Sequence, residues 1–197
     1  KLNLMVRSTG YNKTKTAVFI SGTGSNLKSL IKFSRTAKSP ISINFVISNN
    51  YKAKGLNYAK KFKIKKKVLN FKNKNLSEKK LLSILKINNI DMICLAGFMK
   101  ILSGNFIKKF KGKILNIHPS LLPKYKGLNT HKRALNNKDK YSGCTVHFVN
   151  ARLDSGKIIL QKKVKILKNE TETSLAKKVL AQEHKLYPKA IIKVFNL

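Results

Sequence analysis

The sequence predicts an α/β fold with a mainly parallel sheet and flanking helices. Short β-branched runs alternate with amphipathic stretches along the chain. A glycine-rich turn runs straight from the first such strand into a helix, and Met92–Ala96 is a nearly continuous apolar run, as in a strand covered on both faces. Thr14–Ile20 is the first strand, followed by the turn Ser21–Asn26 and a helix carrying Leu27, Leu30 and Ile31. Ile41–Ser48 is the second strand, with a helix around Gly55–Phe62, and Val68–Leu69 a short third strand. Ser77–Ile87 has its leucines near helical spacing, with Ser77 as N-cap. After Met92–Ala96 come a short helix near Asn105–Phe110 and a strand Ile114–Ile117. The two prolines and the glycine of His118–Gly127 exclude regular structure throughout it. Ser142–Val149 alternates like a half-buried strand, and Ile158–Ile166 is its hairpin partner. A last helix starts near Thr173 and runs toward Leu186, where Pro188 should break or kink it.

With 197 residues and no second core, repeat or linker, residues 14–197 read as one domain. Residues 1–13 read as a basic extension, disordered or targeting, without the apolar stretch of a secretory signal. No apolar run is long enough to span a membrane, so a cytoplasmic protein is expected. Cys94 and Cys144 show no metal-ligand spacing; two buried thiols are the plainer reading, though sequence alone allows a disulfide.

The formal charge of +36 suggests nucleic-acid binding at first sight, but only four of the 43 basic residues are arginine (Arg7, Arg35, Arg133 and Arg152). Bidentate readers of phosphate and guanine lean on arginine. Lys, Asn and Ile are abundant together, as A/T-rich codons favour. The charge therefore points to compositional drift, with attraction for anionic substrates as its physical effect and no specific nucleic-acid partner.

Three places carry chemistry. The turn around Gly24, Ser25 and Asn26 leaves free N–H groups at a helix start, which suits a phosphate. Taken alone, it is equally a plain tight turn. Asn116 and His118 alternate off a strand's carboxyl end, so both side chains share one side at the place where open α/β sheets bind ligands. The His can move protons and the Asn amide can stabilise an oxyanion; a structural His beside a rigid loop is the other reading. Asp154, in Leu153-Asp154-Ser155-Gly156, would orient a nearby His and favour its protonated form, although Asp-Ser-Gly is also an ordinary turn. His131 and His147 have no close-spaced ligand partner, so no metal is expected. His184 reads as a surface or rim group of the last helix, beside Glu183.

In order, Val18–Leu27 (VFISGTGSNL), Leu95–Leu102 (LAGFMKIL), Leu115–Tyr125 (LNIHPSLLPKY), Gly143–Val149 (GCTVHFV) and Leu153–Gly156 (LDSG) resemble the phosphoribosylglycinamide formyltransferases. The resemblance runs from about Thr14 to about Val194. It implies a Rossmann-like twisted sheet, with Asn116, His118 and Asp154 as the catalytic set. It further implies that Gly24, Ser25 and Asn26 bind the substrate phosphate and that Glu183 approaches its ribose. The co-substrate, 10-formyltetrahydrofolate, would lie against Met99, Lys100, Ile101, Leu102, Asn116 and the loop 150–154, with Lys74 at its glutamate tail. No metal is implied, because the formyl group is already activated on the folate. The family has Arg where Lys100 stands and a His near Asn129, so bidentate contact at the first and titration at the second are lost.

The rival readings are a formyltetrahydrofolate hydrolase, a methionyl-tRNA formyltransferase-like enzyme, or a basic nucleic-acid-binding module on an inactive scaffold. Small molecules are the expected partners, and the chain fits a monomer or a homodimer.

Overall fold

The computed structural model describes residues 12–196. Residues 1–11 of the expected basic extension therefore lie outside the described part. The chain runs β1 (Thr14–Ile20), α1 (Ser25–Ser34), β2 (Ile41–Ser48), α2 (Leu56–Lys61), β3 (Lys65–Val68), α3 (Lys74–Ile87), β4 (Met92–Leu95), α4 (Gly104–Lys109), β5 (Lys113–His118), α5 (Thr130–Asn136), β6 (Tyr141–Phe148), β7 (Ile158–Lys165) and α6 (Glu172–Val194). The strands form one sheet in the order β3-β2-β1-β4-β5-β6-β7. From β3 to β5 all neighbours are parallel; β5–β6 and β6–β7 are antiparallel. The mainly parallel α/β sheet is as expected.

The alternation of β1 shows why the sheet is covered on both faces. Val18 and Ile20 enter one core with Leu27, Leu30, Ile31, Val179 and Ile191, under α1 and α6. Ala17 and Phe19 enter the other, with Leu81, Leu85, Phe106 and Phe110 under α3 and α4. All four β1 side chains are fully buried. The strand order reverses between β1 and β4, which opens a crevice at their carboxyl ends.

Four expectations need correction. The third strand is Lys65–Val68; this lysine-rich segment sits at the sheet edge, where its long side chains reach water, while its backbone pairs with β2. The cap of α3 is Asn73, whose side chain accepts from the Leu76 N–H; Ser77 lies buried one turn in, facing the Asn70 and Asn73 carbonyls. Strand β6 is buried on both faces from Ser142 to His147. Cys144 and Val146 lie in the core with α6, while Thr145 on the opposite face hydrogen-bonds to Ser120 and Leu122 of the loop after β5. Finally, α6 runs unbroken through Pro188. The carbonyl that a proline leaves free lies four residues back, on His184, and Ser29 Oγ of α1 donates to it at 3.0 Å. Flanking residues Leu186, Tyr187, Ala190 and Ile191 are buried, so packing holds both sides of the proline in line.

Cys94 and Cys144 are free and buried; burial pushes both thiols up to about 12, so neither is a nucleophile near neutral pH. No described helix is long and apolar enough to cross a membrane.

Candidate active site

The crevice between the ends of β1, β4 and β5 deepens into a cleft of about 680 Å³. Asn116 and His118 enter it from β5, two residues apart and therefore on one face. Antiparallel pairing sets His147 of β6 opposite Asn116, and Thr145 opposite His118. Asp154 comes from the loop between β6 and β7, at a left-handed φ of 45° that Asp tolerates better than most residues.

Asp154 binds this group together. Its Oδ2 accepts from the Gly127 N–H at 2.9 Å and lies 3.4 Å from His118 Nδ1. Its Oδ1 accepts from Asn116 Nδ2 at 3.4 Å and lies 3.7 Å from His147 Nε2. His118 is 5% exposed, and its Nε2 sits 2.8 Å from the Tyr125 carbonyl. A carbonyl only accepts, so Nε2 carries a proton there and Nδ1 is left facing Asp154. His147 is settled the same way: Nδ1 donates to the Phe148 carbonyl at 2.8 Å, so Nε2 is an acceptor for Asn116 Nδ2 at 3.2 Å. The Asn116 amide is thereby held with its NH₂ toward His147 and Asp154. Burial, outweighing the pull of Asp154, lowers the proton affinity of His147 and keeps it neutral.

At one end of the cleft stands Asn26, in the first turn of α1. Its Nδ2 donates to Glu183 Oε2 at 2.6 Å, while its Oδ1 is buried without a protein partner. Burial raises the Glu183 carboxyl despite that bond. Gly24, at φ 74°, precedes the helix. A Cβ there would lie 2.5 Å from Gly55 Cα, so only glycine lets the turn lie against the start of α2. Ser25 is half-buried, and the first N–H groups of α1 have no side-chain cap.

At the other end, Met99, Lys100, Ile101 and Leu102 line the cleft together with Val149, Asn150 and Leu153. Met99 and Ile101 are 64% and 59% exposed, an apolar ledge open to the cleft. Lys74 is not brought to the site; it is exposed at the start of α3, outside the cleft lining. Asn129 lines the cleft at a left-handed φ of 56°, a conformation that Asn adopts with little strain. His131, buried at Nδ1 without a partner, also lines it. His184 is half-buried, not at the surface, with Nε2 buried and unpartnered. Among the described residues no cluster of three or more His, Cys, Asp or Glu is arranged to hold a metal ion.

Sequence reasoning did not assign His147, the Tyr125 carbonyl or the Gly127 N–H to the site. The alternation of β6 with His147 on the Thr145 face was a usable signal; the two backbone groups left none, since any residue supplies them.

The sequence profile of the formyl transferase family matches residues 14–191. The chain belongs to this family. It is 44% identical over 185 residues to the phosphoribosylglycinamide formyltransferase of Haemophilus influenzae, covering 92% of this chain and 87% of that one. It is 45% identical over 182 residues to the human trifunctional purine biosynthetic protein adenosine-3. That match covers 91% of this chain but only 18% of the human protein. The crystal structure of phosphoribosylglycinamide formyltransferase from Brucella melitensis superimposes with a TM-score of 0.87 at 43% identity, covering 92% and 95% of the two chains. The family's namesake reaction is formyl transfer, and the cleft brings a His ring and an amide each to within 3.4 Å of one carboxylate.

Proposed function

We propose that this chain transfers the formyl group of 10-formyltetrahydrofolate to the amine of 5′-phosphoribosylglycinamide, a step of purine biosynthesis. The observation that carries this reading is the meeting of Asn116, His118 and Asp154 in one cleft with the unpartnered Asn26 Oδ1 and an apolar ledge. The first N–H groups of α1 at Gly24, Ser25 and Asn26 suit the substrate phosphate, and Glu183 with the free Asn26 Oδ1 suits ribose hydroxyls. Met99, Lys100, Ile101 and Leu102 suit a planar folate ring. Lys74, outside the cleft, would meet only the charged tail of the folate.

In this reading the substrate amine attacks the formyl carbon, and the carbonyl π electrons move onto oxygen. The Asn116 NH₂ and the Nδ1–H of His118, whose contacts to Asp154 are both long at 3.4 Å, swing from that carboxylate to donate to the oxygen as it becomes negative. The amine's proton is lost and the folate nitrogen gains one as the C–N bond to it breaks, with His118 as the relay. Asp154 keeps the imidazolium oriented, and the Tyr125 carbonyl holds the opposite nitrogen. No step requires a metal. The name of the bacterial relative supports the same acceptor, and that of the human relative supports a place in purine biosynthesis.

The experiment is folate turnover by purified protein with and without glycinamide ribonucleotide. Turnover only with both substrates is expected. Turnover with folate alone would instead mark a hydrolase, and tight salt-resistant RNA binding without turnover a nucleic-acid module.

A further inference from the structure

The apolar ledge is a puzzle of its own. Gly97–Leu102 is a loop whose Met99 and Ile101 face the cleft, and exposed apolar side chains do nothing to hold a backbone in place. Polar side chains meet it at both ends, the half-buried Ser21 and the buried Glu78. Near its start, Ser21 N–H donates to the Gly97 carbonyl at 3.1 Å, and Ser21 Oγ accepts from the Met99 N–H at 2.7 Å. The same hydroxyl donates to Asn49 Oδ1 at 2.5 Å, which fixes its lone pairs toward Met99. Just past its end, Glu78 of α3 receives the Ser103 N–H at 2.7 Å on one oxygen and the Ser103 hydroxyl at 2.5 Å on the other. Ser103 Oγ in turn accepts from the Phe106 N–H as the cap of α4.

Glu78 is 5% exposed, in a chain with only seven acids. A buried carboxylate with no ion-pair partner among the described residues is expensive unless its oxygens are engaged, and both of these bind one residue. Between the two ties, Phe98 packs edge-on against Phe19 at 5.4 Å and Phe71 at 5.5 Å, and Leu102 is 5% exposed in the core. The loop is therefore anchored at Phe98 and Leu102 and clamped at its two ends.

We infer that Ser21 and Glu78 are positioning residues that hold the Gly97–Leu102 loop rigid as a preformed platform for the folate. This rests on the proposed function for the identity of the ligand, but the brace itself is independent of it. Ser21 also opens the phosphate turn, so this residue ties the platform of one substrate to the seat of the other. Neither side chain lines the cleft, and neither touches the reacting atoms.

The test uses full-length protein with Glu78→Ala, Glu78→Gln and Ser21→Ala. Hydrogen exchange of the Met99 and Ser103 amides, binding of 5-formyltetrahydrofolate, and the separate KM values are measured. Glu78→Ala should expose the Ser103 amide and weaken the folate analogue and the formyl-folate KM by about tenfold, the scale of lost hydrogen bonds to a charged group. The KM for glycinamide ribonucleotide should stay put. Glu78→Gln should restore most of the affinity, because its carbonyl oxygen accepts from Ser103 N–H and its NH₂ donates to the hydroxyl. Ser21→Ala should expose the Met99 amide with a similar folate effect. If Glu78→Ala does not fold, the other two variants decide the question. Freed amides with unchanged folate affinity, or equal changes in both KM values, overturn the inference and leave the proposed function standing. Failure of the unmodified protein to bind the folate analogue overturns the proposed function, and the platform's role with it.

Discussion

His118 has a fixed neighbour at each ring nitrogen, the Tyr125 carbonyl at Nε2 and the Asp154 carboxylate at Nδ1. A substitution at His118 removes the relay itself, and Asp154→Ala removes the carboxylate that faces its Nδ1. Both His118→Ala and Asp154→Ala should lower kcat by about 10²–10⁴-fold, the usual contribution of a general acid–base group, in a steady-state transfer assay. His147 acts one step back, by presenting an acceptor to the Asn116 NH₂. His147→Leu should therefore leave both KM values near normal and lower kcat by about tenfold, because the amide is free to rotate. An unchanged kcat would show that Asp154 alone orients Asn116. At this scale the sequence was legible for most of the side chains, since Asn116, His118, Asp154, Asn26 and Glu183 all line one cleft, while His147 was missed. The sequence was illegible where a carbonyl or an N–H does the work, and the Lys74 it read as a folate-tail contact lies outside the cleft lining.

Among the elements, α6 carries the least expected feature. A proline inside a helix costs about 3 kcal/mol relative to alanine, part of it from the carbonyl it strands. Here that carbonyl belongs to His184 and takes the Ser29 hydroxyl from α1. Ser29→Ala should lower stability by about 1 kcal/mol in denaturant unfolding. In a Pro188→Ala background, where residue 188 supplies an N–H to His184, the same change should be nearly neutral, and additivity of the two would refute the pairing. Sequence reasoning stopped α6 at Pro188 because the rescuing hydroxyl lies 155 residues away. Most strands and helices built on local periodicity were readable to within a residue or two, but α3 begins a turn before the expected Ser77 cap and the short α5 was not read. Strand β3 was not, since an edge strand of lysines carries no apolar signal.

Across the whole molecule, charge and protonation set the working conditions. Burial lowers the proton affinity of His131, His147 and His184 below the ordinary 6.5. Below that value the unfolded chain takes up protons that the folded chain refuses, so stability is full above 6.5 and drains as pH falls. Glu183, raised above 4.5 by burial, works the other way and favours folding at low pH. With three groups against one, Tm should fall from about pH 7 to about pH 5, and His147→Gln should flatten the fall. The +36 charge acts over longer distances. Both proposed substrates are anions, so raising ionic strength from about 0.01 to about 0.15 M, which shortens the Debye length from about 30 to about 8 Å, should lower kcat/KM several-fold. The fold class was visible in the sequence because it is written in periodicity and turns. The two-sided burial of β6 was not, because the cover on one face is the irregular loop after β5.

The antiparallel pairing of β5 with β6 joins segments some thirty residues apart, and it alone sets His147 beside Asn116. A slip of one residue in that ladder would turn every side chain of one strand to the opposite face. Asn116 would lose its partner, and Thr145 would leave the loop that holds His118. A misregistered chain could keep the same helices, the same sheet and much of its core while having no catalytic group. Specific activity in a refolded preparation therefore counts the molecules whose strands found the right alignment, a quantity that circular dichroism of the same sample cannot see.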